Sequence, residues 1–503
     1  MDQIINRVAN GRPSPAKSLI IYGPGGRTMI SLSELDRLAR KTAVYLQRLG
    51  ICAGDRIGIV ARNRLEWLLI DLAALKLKAV TAGFEAGKFP VTAALAERYA
   101  LRIIFSDEAP GAPCIRSMDG LIGALDALPD DPDLDPVAFA PDDVTTIKFT
   151  SGSTGEPKGL AATVGSIDSS IAATQALFAH SPDDSLFVFL PLSLLQQRYW
   201  IYSALAYGHD VVLSTYELAY YALGREAPTV VMGVPAFFET LRKAIAARAG
   251  SDDPAALRRA ASEVMGPRIR YLWTGSAPAA PDMLRFFEDC GTPIFEGYGM
   301  NETCIVTKNA PGAHRRGSVG KPINGKQVSI DADGIVVVRS DFPVNTRYLF
   351  CAPGESERIF QRDGSVRTGD LGRFDADGFL YILGRADDIV VLTNGRNVLV
   401  RPIEEKLRSC PEVENCIVVG SGDDRLSAIL CAPDGEAARG AIQRHIADLN
   451  NSSGADERIG KFLIVDEPFS IENGLLTSQY KPKRRAIMAR FADEISRVTR
   501  GFI

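Results

Sequence analysis

"TTIKFTSGSTGEPKG" runs from Thr145 to Gly159. Its first five residues, Thr145 to Phe149, read as a short strand bounded by turn residues. The next ten give up side-chain bulk. Glycines stand at 152, 155 and 159, hydroxyls at Thr150, Ser151, Ser153 and Thr154, and the stretch closes on Pro157, Lys158 and Gly159. Successive backbone N–H groups in such a loop form a concavity for anions, the hydroxyls add donors, and Lys158 adds positive charge. The pattern is phosphate chemistry without being a Walker A loop, because no Gly-Lys-Ser/Thr triplet ends it. A plain linker of this composition would not be fed by an apolar strand.

Outward from this loop, short apolar runs alternate with helical patterns. "SLSELDRLARKTAVYLQRLG" opens with Ser31 and Glu34 at capping-box spacing, carries one apolar stripe and ends at Gly50. "DRIGIVAR", "LRIIFSD", "SLFVFLPLS", "HDVVLST", "PTVVMGVP" and "RIRYLWTG" read as buried strands with helices between them. That alternation predicts an α/β domain with parallel strands, whose ligands bind in loops at the strands' carboxyl ends. After about Gly317 the pattern changes. "KQVSIDADGIVVVRS" and "RFDADGFLYILGR" each place an Asp-Ala-Asp-Gly turn between two strands. From about Ala386 a small α+β unit is expected.

Composition excludes several classes. The 503 residues are 46% hydrophobic with a net charge of −4, so there is a large core and no basic surface for nucleic acid. The most apolar helix, Glu66 to Val80, carries Asp71, Lys76 and Lys78, and no integral membrane segment is expected. The eight cysteines form no CxxC pair and the four histidines are scattered, so metal-ligand spacing is absent and the thiols read as free. A cytoplasmic protein is the expectation.

Three further stretches form a set with the glycine-rich loop: "FEGYGMNET" (Phe295 to Thr303), read as a tight loop after a strand; "RTGDLGRFDADGFLYILGR" (Arg367 to Arg385); and "NGLLTSQYKPKRR" (Asn473 to Arg485). In this order and spacing, from roughly Asp142 to Arg485, they resemble the adenylate-forming superfamily of acyl-CoA synthetases, adenylation domains and luciferases, nearest to its long-chain acyl-CoA synthetase branch. The resemblance implies a large N-terminal α/β domain, residues 1–385, of parallel sheets covered by helices plus a small β-barrel-like part. A small mobile α+β domain, residues 386–503, would complete the chain, swinging about a hinge at Asp387.

The resemblance also implies roles. Thr150, Ser151, Gly152, Ser153, Thr154, Gly155 and Lys158 would hold the phosphates of ATP. Glu302 would be the magnesium-associated glutamate. Tyr298 would pack on adenine within a nucleotide-binding segment of Glu296, Gly297, Tyr298, Gly299, Met300 and Asn301. Gly275, Ser276 and Ala277, in "TGSAP", would line the nucleotide and acyl groups. Asp370 would grip the ribose hydroxyls, and Arg385, counted with Lys481 and Glu302 as catalytic, would make a nearby phosphate or ribose contact. Lys481 would contact both the carboxylate and the α-phosphate. The expected reaction joins a carboxylic acid to AMP with loss of pyrophosphate, using ATP and Mg2+. The acyl group then passes to an acceptor, which is coenzyme A (CoA) by preference, or an amine, or a carrier protein; the alternative is a non-catalytic acyl- or nucleotide-binding protein on the same fold.

The chain departs from the family at several places. Asn301 stands where threonine is usual, Val400 where proline is common, and Tyr480 where glycine is common. In "PLSLLQQRYW", Leu194 and Gln197 replace the long-chain branch's histidine and glutamate, while Arg198 remains. Candidates for the acid pocket are Arg198, Tyr199, Trp200, Val234 and Gly275. Their apolar and aromatic character suits a hydrophobic or aromatic acid, and each also suits ordinary core packing. Arg198 either meets the substrate or pairs within the fold.

Overall fold

A computed structural model describes residues 3–23, 25–108, 111–150, 157–275, 277–394, 396–420, 425–476 and 482–495, with the side chains of Thr150, Asp387 and Glu436 excluded. Two large sheets organise most of the chain. The first has six strands in the order Ile115–Ser117, Ile103–Ser106, Arg56–Val60, Val80–Phe84, Val144–Thr150, Lys158–Thr163. All pairings are parallel except the last, which is the antiparallel hairpin flanking the glycine-rich loop. The second has nine strands, parallel through its centre from Ser18–Gly23 to Ile294–Met300 and antiparallel at both edges.

Helices Leu65–Lys76, Val164–Phe178 and Leu195–Tyr207 contribute to one large core with residues of both sheets. Leu65–Lys76 is buried on nearly every side, which explains an apolar stretch without amphipathic periodicity. Its two charged interior residues are compensated: Lys76 Nζ lies 2.7 Å from Asp36 Oδ1, and Asp71 Oδ1 2.9 Å from Arg198 Nη1. Leu32–Arg48 starts as its capping residues predict, Ser31 Oγ accepting from the Glu34 N–H at 3.0 Å.

The two Asp-Ala-Asp-Gly turns sit in one antiparallel four-stranded sheet, ordered Lys326–Ile330, Ile335–Ser340, Val366–Phe374, Leu380–Arg385. They are built alike. Asp331 accepts from the N–H groups of Asp333 and Ile335 at 2.9 Å each, and Asp375 from those of Asp377 and Phe379 at 3.0 Å each. Gly334 and Gly378 both take φ +81°, the left-handed geometry that aspartate-glycine turns need. The remainder folds around strands Asn415–Gly420, Leu426–Cys431 and Ile459–Val465, with helices Arg401–Leu407 and Arg439–Ser452. Among the described residues no helix is long and apolar enough to cross a membrane.

One expectation needs correction. "EGYGM" is not a loop: it continues the strand Ile294–Met300, which pairs antiparallel with Cys304–Lys308, so only Asn301 to Thr303 form the turn. The glycines made the segment read as a loop, and they serve the pairing instead. A Cβ at Gly299 would lie 2.0 Å from the Cys304 carbonyl oxygen.

Candidate active site

The site is built where the hairpin of the six-stranded sheet, the edge of the nine-stranded sheet and the four-stranded sheet converge. At the hairpin, Thr150 pairs with Lys158, and Gly159 exchanges two backbone hydrogen bonds with Leu349 at 2.9 and 2.8 Å. This docks the segment around Leu349 against the mouth of the glycine-rich loop. Lys158 Nζ lies 3.0 Å from Glu355 Oε1 and 5.1 Å from the centre of the Tyr348 ring. The Tyr348 hydroxyl in turn donates to Glu302 Oε1 at 2.6 Å. Burial and the Glu302 carboxylate together push the Tyr348 phenol far above its ordinary range, so it stays a donor. Glu302 itself is buried in the turn between Ile294–Met300 and Cys304–Lys308.

A second group stands on facing strands. Asp370 pairs in register with Arg385, whose Nη1 is 3.3 Å from Asp370 Oδ1. The Tyr298 hydroxyl reaches across from the other sheet and donates to Asp370 Oδ2 at 2.5 Å. Burial first, then the aspartate, raises the Tyr298 phenol well above its usual range. Gly369 takes φ +75°, and a Cβ there would sit 3.3 Å from the guanidinium of Arg385.

The wall behind these groups is buried. Glu296 is turned inward: Oε1 accepts from the Ala279 N–H at 3.4 Å, and Oε2 has no partner among the described residues. Burial raises its carboxyl to about 7. Lys308 Nζ donates to the Phe295 carbonyl at 2.7 Å and sits 3.5 Å from the centre of the Trp273 ring, and desolvation pushes it well below its usual range. Gly297 is required there, since a Cβ would meet Lys308 Cδ at 2.8 Å. Gly275 stands close behind it, its own Cβ position 3.5 Å from the Gly297 carbonyl oxygen. Ala277, Met300 and Asn301 are half-buried along the same edge.

Of the acid-pocket candidates, Tyr199 and Trp200 line a cavity together with Ile171, Thr174, Gln196, Ser203, Met232, Trp273 and Ile305. Its free volume is about 10 Å³, room for about one water. Val234 does not line it. Val234 packs into a neighbouring core with Phe237 and Phe238, while Met232, two residues earlier, lines the cavity. For Arg198 the structure shows internal pairing. The side chain is fully buried, bonded to Asp71 and, through Nη2, to Thr146 Oγ1 at 3.0 Å, and it lies 5.2 Å from the centre of the Trp67 ring. It is part of the framework.

Ser151, Gly152, Ser153, Thr154, Gly155, Ser276 and Lys481 lie outside the described residues, as do the side chains of Thr150 and Asp387. Flanking Lys481, Leu476 and Pro482 form an antiparallel bridge. Sequence reasoning missed Tyr348 and Glu355. They lie in "RYLFCAPGE", a segment with no glycine-loop or periodic signal, and only the docking at Gly159 brings them in.

Residues 7–340 match the AMP-binding enzyme family, and residues 387–502 match the AMP-binding enzyme C-terminal domain. The chain belongs to the AMP-binding enzyme family. It is thus a ligase of the ATP-dependent, acyl-adenylate-forming kind. This AMP-binding enzyme is 28% identical to the long-chain-fatty-acid–CoA ligase FadD15 of Mycobacterium bovis, over 94% of this chain and 92% of that one. It is 29% identical to feruloyl-CoA synthase of an Amycolatopsis species, over 83% and 85%. Its fold matches ATP-bound MatB from Rhodopseudomonas palustris with a TM-score of 0.80 at 22% identity, over 98% and 99% of the two chains.

The residues present suit the groups such a reaction uses. Among the described residues no three His, Cys, Asp or Glu side chains cluster as a metal cage. Glu302 alone suits a magnesium ion that takes one carboxylate and completes its shell with phosphate oxygens and water. Asp370 offers acceptor oxygens to a diol, and Arg385 and Lys158 offer cations to phosphate.

Proposed function

We propose that this AMP-binding enzyme activates a hydrophobic or aromatic carboxylic acid with ATP and transfers the acyl group to CoA. The observation that carries the reading is the pairing of Lys158, Tyr348 and Glu302 in one group and Tyr298, Asp370 and Arg385 in another, together with a small cavity lined by aromatic and aliphatic side chains and by Thr174, Gln196 and Ser203.

Each residue has a task in that reading. The acid's carboxylate oxygen attacks the α-phosphorus, the α–β bridging bond breaks, and pyrophosphate leaves. Both reactants are anions, so the barrier falls only if cations and donors are fixed where charge accumulates. Lys158 and the glycine-rich loop hold the departing phosphates, and Lys481 bridges the attacking carboxylate and the α-phosphate. Asp370 holds the ribose, and Arg385 keeps that carboxylate aimed. Glu302 would hold magnesium, which when bound would supply positive charge to the phosphates. The thiol of CoA then attacks the acyl carbonyl, and AMP departs. The chain divides for this purpose into residues 1–385, which bind ATP and acid, and 386–503, which carry Lys481 and turn about Asp387. Support for CoA comes from relatives named as CoA ligases and synthases that align over more than four-fifths of both chains.

The test is pyrophosphate release from ATP and Mg2+ over a panel of fatty, aromatic and cyclic acids. Each acid is run alone, with CoA and with simple amines, and products are weighed by mass spectrometry. A CoA thioester formed at a sustained rate is the expected result. An amide without stimulation by CoA would replace the acceptor, and no release with any acid would overturn the reading.

A further inference from the structure

Lys148 lies in the strand Val144–Thr150, two residues before the glycine-rich loop, at a place where a parallel-sheet strand ordinarily buries apolar residues. It is 5% exposed. Side chains alternate along a strand, so Lys148 shares a face with Thr146. That face meets helix Leu195–Tyr207, because Thr146 Oγ1 accepts from Arg198 Nη2 at 3.0 Å. The neighbouring Phe149 packs the other way, stacked on Phe84 with ring centroids 4.3 Å apart. Among the described residues, the Lys148 ammonium has no carboxylate within ion-pair distance. Its one side-chain partner is the sulfur of Cys304, 3.4 Å from Nζ.

Cys304 marks the position. It holds φ +56° directly after the Glu302 turn, and its sulfur also accepts from the Tyr199 hydroxyl at 3.1 Å. Tyr199 and Ile305 both line the acid cavity. Cys304 and Tyr199 thus join Lys148 to the lining of that cavity, and Lys148 is close in the chain to the glycine-rich loop as Cys304 is to Glu302. A buried ammonium without an anionic partner is expensive, and sulfur compensates it weakly. By contrast Arg198, which bonds Thr146 on the same face, has a carboxylate partner in Asp71.

We propose that Lys148 is the fixed cation that binds the carboxylate of the acid substrate before adenylation. This rests on the acyl-adenylating reading of the site and deepens it. A fixed Lys148 would hold the carboxylate against the α-phosphate's repulsion while Lys481 arrives. The acid it selects is an apolar or aromatic body with one anionic end, since no residue that lines the cavity is charged.

The test reads binding without turnover. Octanoate, benzoate and cinnamate, with the matching primary amides, are titrated calorimetrically into the wild type, Lys148→Met, Lys148→Gln and Lys148→Arg, and ATP with Mg2+ is titrated separately. The wild type is expected to bind at least one carboxylate and not its amide. Lys148→Met and Lys148→Gln should weaken that carboxylate by about 30-fold or more, leave ATP within about twofold, and raise the Tm of the ligand-free protein. Lys148→Arg should recover part of the affinity. Lys148→Gln keeps a polar contact to Cys304, so the test survives if Lys148→Met fails to fold. Unchanged carboxylate affinity in the neutral variants, parallel loss of acid and ATP, or a wild type that binds none of the three carboxylates would each overturn the assignment. Carboxylate affinity that depends on Lys148 in a protein with no pyrophosphate release would instead discard adenylation and keep the anion site.

Discussion

Asp370 faces Arg385 across an antiparallel strand pair, with Oδ1 and Nη1 3.3 Å apart, and the same carboxylate accepts from Tyr298 at 2.5 Å through its other oxygen. One carboxylate thus ties the four-stranded sheet to the edge of the nine-stranded sheet, with both of its oxygens aimed. In the proposed reaction those oxygens are where a ribose diol is held.

Asp370→Asn keeps the shape and removes the charge. The KM for ATP should rise about 10- to 100-fold, the loss of one or two charge-assisted hydrogen bonds, while the KM for the acid stays within a factor of about two. Equal increases for both substrates would assign Asp370 to the framework. Steady-state pyrophosphate release with each substrate varied in turn makes the measurement.

Glu302→Gln should lower the adenylation rate by about 100-fold or more and shift the Mg2+ concentration for half-maximal activity upward, because an amide is a poorer ligand for a hard cation. Tyr348→Phe removes the donor 2.6 Å from Glu302 and should have a much smaller effect on rate. A magnesium titration of all three proteins checks both statements.

The buried pair Arg198–Asp71 predicts a stability effect. Removing one partner leaves an uncompensated charge, so Arg198→Met should cost about 3–5 kcal/mol, and the double variant Arg198→Met with Asp71→Leu should recover most of it. The surviving double variant should retain its KM for the acid. An acid KM raised tenfold in that variant, with stability restored, would return Arg198 to the substrate site. Urea unfolding and kinetics on the same preparations decide it.

Two buried imidazoles make the fold less stable in acid. Burial lowers His180 to about 3 and His209 to about 4, against an ordinary 6.5. The unfolded chain therefore takes up these protons as pH falls below about 6.5, while the folded chain stays neutral to about 4. Stability should be full above pH 7 and decline on acidification by up to about 1.4 kcal/mol per group per pH unit. His209→Asn should flatten the decline between pH 6.5 and 4.5 in urea melts. A wild type equally stable at pH 7.5 and 5 would contradict it.

Much of this architecture is legible in the sequence. Ser31 and Glu34 announce a helix start that the structure reproduces, and the two Asp-Ala-Asp-Gly turns give matching hydrogen bonds from matching residues. Local rules suffice there because the partners lie within five residues. They fail where partners are distant. Gly297 and Gly299 read as loop residues, since nothing local reveals that Lys308 and Cys304 need the space above them. Tyr348 stands 46 residues from Glu302, and Asp71 stands 127 from Arg198. Met232 rather than Val234 lines the cavity beside Tyr199 and Trp200, because the strand Val230–Gly233 ends before Val234, which caps the next helix.

The most direct test of the central claim is acid-dependent exchange of labelled pyrophosphate into ATP, run on the wild type and on Lys481→Ala with the panel of fatty and aromatic acids. Exchange reports formation and reversal of the acyl-adenylate alone and needs no acceptor. The wild type should exchange with at least one acid of the panel, and Lys481→Ala should be slower by about 100-fold or more with an unchanged circular dichroism spectrum and Tm. A wild type that exchanges with none of the acids, or a Lys481→Ala variant that exchanges at the wild-type rate, would contradict the account.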